Sequence, residues 1–267
     1  MKILKSAKNI AIKFVKFLFI FPYISAYNNI QESICKFSHE NIMDCEETLI
    51  YIINNRASFV RFGDGEINHS ISNEYESDWQ EPNSKLTKDL KLILKNDEKF
   101  LLTGIPEARN NDLWWRRYWA LNWFAFLPLL NKEKLYGNSF VTRPEFFKVY
   151  GQHGVELWRG IWSKRKLVFI TGKKSRLNTN HLLFNNAESK NIFYSLKANA
   201  YADLSRLKKE ILDSDLTNES LILIALGQAG TVLGYQLAIE GYQCIDIGHI
   251  TNSYDNIFRG AKRPEFS

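Results

Sequence analysis

Residues 221–226, Leu-Ile-Leu-Ile-Ala-Leu, form an unbroken apolar run that stops at Gly227. A strand with one wet face alternates apolar and polar positions. A run with no polar position has both faces covered, as in a parallel sheet sandwiched between helices. Similar runs recur along the chain, at Ser58–Phe62, Phe100–Thr103, Ser139–Thr142, Leu167–Thr171, Asn191–Ser195 and Gln243–Ile247. Between them lie helical patterns at Glu46–Asn55, Ser84–Leu94, Asp112–Leu130, Glu145–Trp158, Tyr201–Leu212 and Thr231–Glu240. Strands alternating with helices demand right-handed crossovers, so the expected class is α/β, a mostly parallel sheet with helices on both faces. In such sheets ligands bind beyond the carboxyl ends of the strands.

The chain has 267 residues, 45% hydrophobic and 24% charged. That composition argues against a wholly disordered chain and against a multi-span membrane protein, and no composition break divides residues 31–267 into two domains. Three cysteines, Cys35, Cys45 and Cys244, suggest no disulfide framework and a reducing compartment. Cys35, His39 and Cys45 lack the further ligands of a zinc site. The formal charge is +6, but it is unevenly spread. Residues 1–30 hold five lysines and no acid, so the remaining 237 residues carry 30 basic against 29 acidic side chains. A nearly neutral body argues against a nucleic-acid partner. The basic, apolar segment 1–30 is too short and interrupted to span a bilayer. It reads as an interfacial helix on an anionic membrane or as a surface helix packed on its own domain, and less well as a cleaved signal peptide.

The strand ends concentrate the chemistry. After the first run comes Arg61-Phe62-Gly63-Asp64-Gly65-Glu66. Read locally, this is a glycine turn that leaves two carboxylates free to converge on a hard divalent ion, with Arg61 beside them for an anion. The ordinary alternative is a solvated Asp-Gly turn. Phe140-Val141-Thr142 is followed by Arg143, and Thr171 by Gly172-Lys173-Lys174-Ser175-Arg176, a basic loop without the spacing of a nucleotide P-loop. Lys197 and Asn199 follow another strand. Gly227, Gly230 and Thr231 open a helix whose free N–H groups suit a phosphate, although the pattern is not G-x-G-x-x-G. Gly248-His249 follows the last strand, where an imidazole can bind phosphate, ligate a metal or move a proton. The Trp114–Trp119 segment reads as a helix with Trp115, Tyr118 and Trp119 turned inward. Sugar stacking and a membrane surface are its alternatives.

Taken together and in this order, these motifs resemble the GT-D-type glycosyltransferases, a bacterial family first catalogued as a domain of unknown function. The matching stretches are R-F-G-D-G-E at 61–66, T-R-P at 142–144, the basic loop ending in Arg176-Leu177, Lys197–Ala200, L-G-x-x-x-T-V-L-x-Y at 226–235 and G-Y-Q-C-I-D-I-G-H-I at 241–250. The resemblance covers about residues 45–255. It implies a single Rossmann-like domain and a nucleotide-diphosphate sugar donor, a UDP-hexose in the first instance. It also implies Mn²⁺ or Mg²⁺ held by Asp64 and Glu66, with His249 closing the last motif as a third catalytic residue. Arg61, Gly63, Gly65, Arg143, Gly172, Arg176, Lys197, Asn199, Gly227, Gly230 and Thr231 would then contact the substrate. A glycan, glycolipid or glycoprotein would be the acceptor, with the protein cytoplasmic, either free or peripheral on the inner face of the membrane. Gln228-Ala229-Gly230 and residues 251–255 depart from the family pattern, which leaves a catalytically silent binding module of glycan assembly as the alternative.

Overall fold

The computed structural model describes residues 28, 30–108 and 112–266. The interfacial segment expected at 1–30 therefore lies almost wholly outside the described residues. The first described helix, α1, covers 30–41. It is followed by α2 (Cys45–Asn55), β1 (Ser58–Arg61), α3 (Asp64–Ile71), α4 (Ser84–Lys95), β2 (Leu101–Ile105), α5 (Leu113–Phe126), β3 (Gly137–Asn138) and α6 (Pro144–Trp162). The second half continues with β4 (Lys166–Gly172), β5 (Ser189–Ser195), α7 (Leu204–Leu212), β6 (Leu221–Ala225), α8 (Gly227–Ile239), β7 (Gln243–Asp246) and α9 (Ile250–Arg259).

The strands form one seven-stranded sheet in the order β3-β2-β1-β7-β6-β4-β5, with every neighbouring pair parallel. Period-two alternation sends successive side chains to opposite faces. In β6, Ile222 and Ile224 join one core with Val60, Val168 and Ile170, under α3, α4, α5, α7 and α8. Leu221 and Leu223 join the other with Phe59, Phe169 and Ile245, under α2, α6 and α9. Both faces are thus filled, as the unbroken apolar run requires.

Local chemistry starts the helices. Asp44 and Glu47 close a full capping box on α2. Asn83 and Asp112 accept from the first free N–H groups of α4 and α5. Pro144 sits at the start of α6, where its missing N–H costs nothing. Two local expectations are corrected. Ser139–Thr142 is a 3₁₀ turn and not a strand, because the Asn138 side chain captures the Phe140 N–H at 3.0 Å and curls the backbone; the strand is the preceding pair. The Gly-Asp-Gly stretch is not a turn with free carboxylates but the first turn of α3.

The two central strands, β1 and β7, are where chain direction splits, since β1 leads outward to β2 while β7 arrives from the other half. Helix α8 packs on this seam through a glycine. A Cβ at Gly234 would lie 2.9 Å from Val60 Cγ1 and 3.4 Å from Ile224 Cδ1. Gly234→Val is expected to cost about 1–3 kcal/mol by overpacking, read as a lower urea midpoint at an unchanged m-value.

Candidate functional site

The site is built on a buried ion pair at the ends of the central strands. Arg61, the last residue of β1, donates from Nη2 to Asp246 Oδ1 at 3.3 Å, and Asp246 is the last residue of β7. Only 14% of the Arg61 side chain and 9% of the Asp246 side chain is exposed. Arg61 Nη1 also donates to the Ser139 carbonyl at 2.9 Å and to the Thr142 hydroxyl. Asp246 Oδ1 accepts from the Gly248 N–H at 2.8 Å. Gly248 is in the left-handed region at φ +45°, and a Cβ there would meet Arg61 Nη2 at 2.1 Å, so only glycine fits this approach. The pair therefore ties β1, β7, the 139–142 turn and the loop carrying His249 into one edge.

Asp64 and Glu66 are the first and third residues of α3. Residues two apart do not share a helix face. Asp64 is exposed, whereas Glu66 is half-buried and its Oε2 accepts from the Gly63 N–H at 2.8 Å, closing half of a capping box. Burial pushes the Glu66 carboxyl up to about 7; the Gly63 bond opposes the rise, and the negative charges of Asp246 and Asp64 add to it. Gly65 serves a different purpose from the one its turn-like sequence suggests. A Cβ there would sit 2.4 Å from Gln228 Nε2, so its bareness admits the start of α8. The Tyr118 hydroxyl on α5 reaches Asn68 Oδ1 at 2.9 Å and the Asp64 carbonyl at 3.3 Å, bracing α3 from outside.

His249 lies beyond β7 in a cationic setting. Burial first, and then the charges of Arg176, Arg143 and Arg61, lower its pKa to about 4. It is a neutral imidazole at physiological pH. Arg143 pairs with Glu265, Arg176 donates to the Pro264 carbonyl at 3.0 Å, and Arg263 pairs with both Glu145 and Glu265. The last described turn thus folds back onto the arginines around His249.

The remaining residues singled out from the sequence are placed as follows. The Thr231 hydroxyl is fully buried and donates to the Arg61 carbonyl at 2.9 Å, and Gly230 packs against Ile224. Both support α8 from within. Gly227 opens that helix at φ +56° with open space around it. Gly172 lets the Leu196 carbonyl approach, at 3.0 Å from where a Cβ would be. Asn199 accepts from the Glu81 N–H at 2.8 Å, and its own N–H donates to the Trp79 carbonyl at 2.7 Å, so it anchors the 76–83 loop. Lys197 is exposed beyond β5. That edge strand is four places from β1, roughly 19 Å at the usual strand spacing. The structure thus gathers Arg61, Asp64, Glu66, Arg143, Arg176 and His249 near the β1–β7 seam and leaves Lys197 and Asn199 at the far edge. Sequence reasoning missed Asp246, Gln228, Tyr118 and Glu265. Asp246 was detectable as an acid closing an apolar strand, while the others are brought in only by packing.

The donor set suits a hard divalent ion in its chemistry, being all carboxylate oxygen, and Glu66 carries a charge that burial and its neighbours disfavour. Among the described residues no three or more His, Cys, Asp or Glu side chains stand together as a metal cage. Two carboxylates would need phosphate oxygens and water to complete the shell, which is how Mg²⁺ is usually held.

Two opposed pH effects follow. Between the ordinary carboxyl value of 4.5 and about 7, folded Glu66 keeps a proton that the unfolded chain has released, so its contribution to stability falls as pH rises. Between about 4 and 6.5, folded His249 lacks a proton that the unfolded chain binds, so its contribution rises with pH. Thermal melts of the metal-free protein from pH 4.5 to 6.5 are expected to show a steeper rise in Glu66→Gln than in wild type, and a fall in His249→Gln. Arg61→Met, which strands buried Asp246 and the acceptors around it, should cost about 3–5 kcal/mol in the same melts.

Comparison with known proteins accords with this architecture. The family described as "Glycosyltransferase GT-D fold" matches residues 59–265. The chain is 32% identical over 231 residues to "Glycosyltransferase GlyD" of Streptococcus pneumoniae, covering 81% of this chain and 28% of that protein. It is 26% identical to "Probable glycosyl transferase Gly" of Streptococcus gordonii, covering 83% of this chain and 33% of the other. The chain therefore spans a third or less of these curated relatives. A solved structure of the domain of unknown function 1792, described as having a distinct glycosyltransferase fold, superposes with a TM-score of 0.77 at 28% identity, over 86% of each chain. Another, described as a new glycosyltransferase from Streptococcus sanguinis, gives 0.74 at 26% identity, over 83% of this chain and 85% of that one. With its parallel sheet and matching motifs, this chain belongs to the family of glycosyltransferases with the GT-D fold.

Proposed function

We propose that the chain transfers a hexose from a nucleotide-diphosphate sugar, with UDP as the carrier, to a glycan or glycoprotein acceptor of bacterial surface polysaccharide or glycoprotein assembly. The observation that carries this reading is the meeting of two opposite demands at one seam. Asp64 and Glu66 offer hard anionic oxygens, and Arg143, Arg176 and neutral His249 surround a neighbouring point with positive charge and N–H donors. A diphosphate with its divalent counter-ion needs both.

Asp64 and Glu66 would hold Mn²⁺ or Mg²⁺, which when bound neutralises charge on a diphosphate leaving group. Arg143 and Arg176 would exchange their contacts with the Glu265 turn for phosphate oxygens. In the transfer the acceptor oxygen forms a bond to the anomeric carbon. The bond from that carbon to the diphosphate oxygen breaks, and the diphosphate leaves with the electron pair. The acceptor proton passes to a general base as the new bond forms. His249 is too weak a base for that proton, since burial and then the arginines lower its pKa, and it is better suited to hydrogen-bond the diphosphate. The arginines and the carboxylates together support a reaction beside α3, with Arg176 reaching it from the end of the basic loop after β4.

The silent-module reading draws support from Glu66, whose carboxylate caps its own helix. One assay separates the two. A panel of nucleotide sugars is screened for Mn²⁺-dependent hydrolysis, and the productive donor is then tested with Asp64→Asn combined with Glu66→Gln. Transfer activity predicts metal-dependent hydrolysis that falls by about 10²–10³-fold or more in the double variant. Full activity in that variant, or no hydrolysis of any donor by the wild type, would overturn the proposal.

A further inference from the structure

The first turn of α8 meets the first turn of α3 through the side chain of Gln228. Gln228 is the second residue of α8, and a Cβ on Gly65 would lie 2.4 Å from its Nε2. Gly65 stands between Asp64 and Glu66, so the amide reaches the backbone that carries both carboxylates. Only 8% of Gln228 is exposed, and among the described residues its amide has no hydrogen-bond partner. The amide is nevertheless not sealed from solvent, so a narrow opening leads to it. Burying an amide without partners costs stability, which a ligand that completes its hydrogen bonds returns.

The amide shares its place with a helix N-terminus. Helix α8 runs for 13 residues, and Leu226 before it offers no side-chain cap. The first N–H groups of a helix have no carbonyl of that helix to meet. Gly230 is the first to find one, at the Leu226 carbonyl 3.3 Å away. A Cβ on Gly227 would meet nothing within 4 Å, so the mouth of the helix is open. One turn further along, Thr231 donates to the Arg61 carbonyl and fixes this mouth beside the end of β1. The two kinds of group ask for different partners. A phosphate oxygen only accepts, and the N–H groups of a helix start serve it. A Gln amide both donates and accepts, and so does a sugar hydroxyl. In a nucleotide-diphosphate sugar the hexose is bonded to the diphosphate through its anomeric carbon. Its ring hydroxyls therefore lie close to phosphates held at Asp64, Glu66 and the start of α8.

We propose that Gln228 selects the donor hexose, its amide hydrogen-bonding a ring hydroxyl while the start of α8 takes a phosphate oxygen. The inference rests on the donor reading given under the proposed function and adds a specificity contact to it. A site built to hydrogen-bond a hydroxyl rejects a sugar that does not present it, because the buried amide is then left unpaired. The departure of Gln228-Ala229-Gly230 from the family pattern thus changes which sugar is admitted and leaves the carboxylates of α3 in place.

The test is calorimetric titration of the full chain in the presence of Mn²⁺ with UDP, UDP-glucose, UDP-galactose and UDP-N-acetylglucosamine. Gln228→Met keeps the length and bulk of the side chain against Gly65 and removes the amide. Thermal melts check that it folds, and Gln228→Ala takes its place in the same titrations if it does not. The variant is expected to bind the preferred UDP-hexose about three- to tenfold more weakly than wild type, with its affinity for UDP unchanged. Equal affinities of variant and wild type for every UDP-hexose would overturn the inference. So would an equal loss for UDP and UDP-hexose, which puts the contact on the nucleotide. Either result leaves the donor reading standing, because the wild type still binds. A wild type that binds none of these ligands would overturn the donor reading and this inference together.

Discussion

The Arg61–Asp246 pair holds the functional edge of this fold together. It joins the last residues of the two central strands, which are far apart in the chain and adjacent in the sheet. A buried ion pair is a weak source of net stability, because desolvation offsets most of the attraction. Its value here is positional. Its other hydrogen bonds reach three further elements: two go to the 139–142 turn, one comes from the Gly248 N–H and, at the Arg61 carbonyl, one comes from the Thr231 hydroxyl on α8. The bonds made by Arg61 and Asp246 thus specify where these segments meet, while the buried Arg61 Nε is left without a partner.

The same pair divides the charges of the site. Arg61 is neutralised by Asp246 and contributes mainly framework. Glu66 is left with a carboxyl that burial and its neighbours push toward the neutral form. On the other flank, burial first and then the charges of Arg176 and Arg143 hold His249 neutral, and both arginines are covered by the Glu265 turn. An acidic pole and a basic pole therefore stand side by side. Such an arrangement suits a ligand that carries both an anion and its cation.

Much of the fold was legible because burial on both faces leaves its mark in composition. The β6 run and the pattern at 167–171 could belong only to covered strands, and the helices between them follow. Legibility failed where one long-range or capping contact outweighs local preference. Ser139–Thr142 has strand-like residues, yet the Asn138 side chain turns the backbone. Gly63-Asp64-Gly65 reads as a turn, yet the Glu66 bond to Gly63 and the approach of Gln228 to Gly65 make it helix. On α5, by contrast, sequence and structure agree: Trp119, read as turned inward, is buried, and Trp114, outside that face, is half exposed.

The sequence by itself determined the alternation of strands and helices, the positions of the strand ends and the identity of the charged residues waiting there. Those are local properties, set by apolar periodicity and by the residue that breaks each run. Only the tertiary structure decided which strand ends are neighbours, because strand order is settled by packing between segments distant in the chain. That order brings Asp246 to Arg61 and His249 to Arg143 and Arg176. It sends Lys197 and Asn199 to the far edge. It also gives Thr231 and Gly65 structural contacts in place of the exposed roles their motifs suggested.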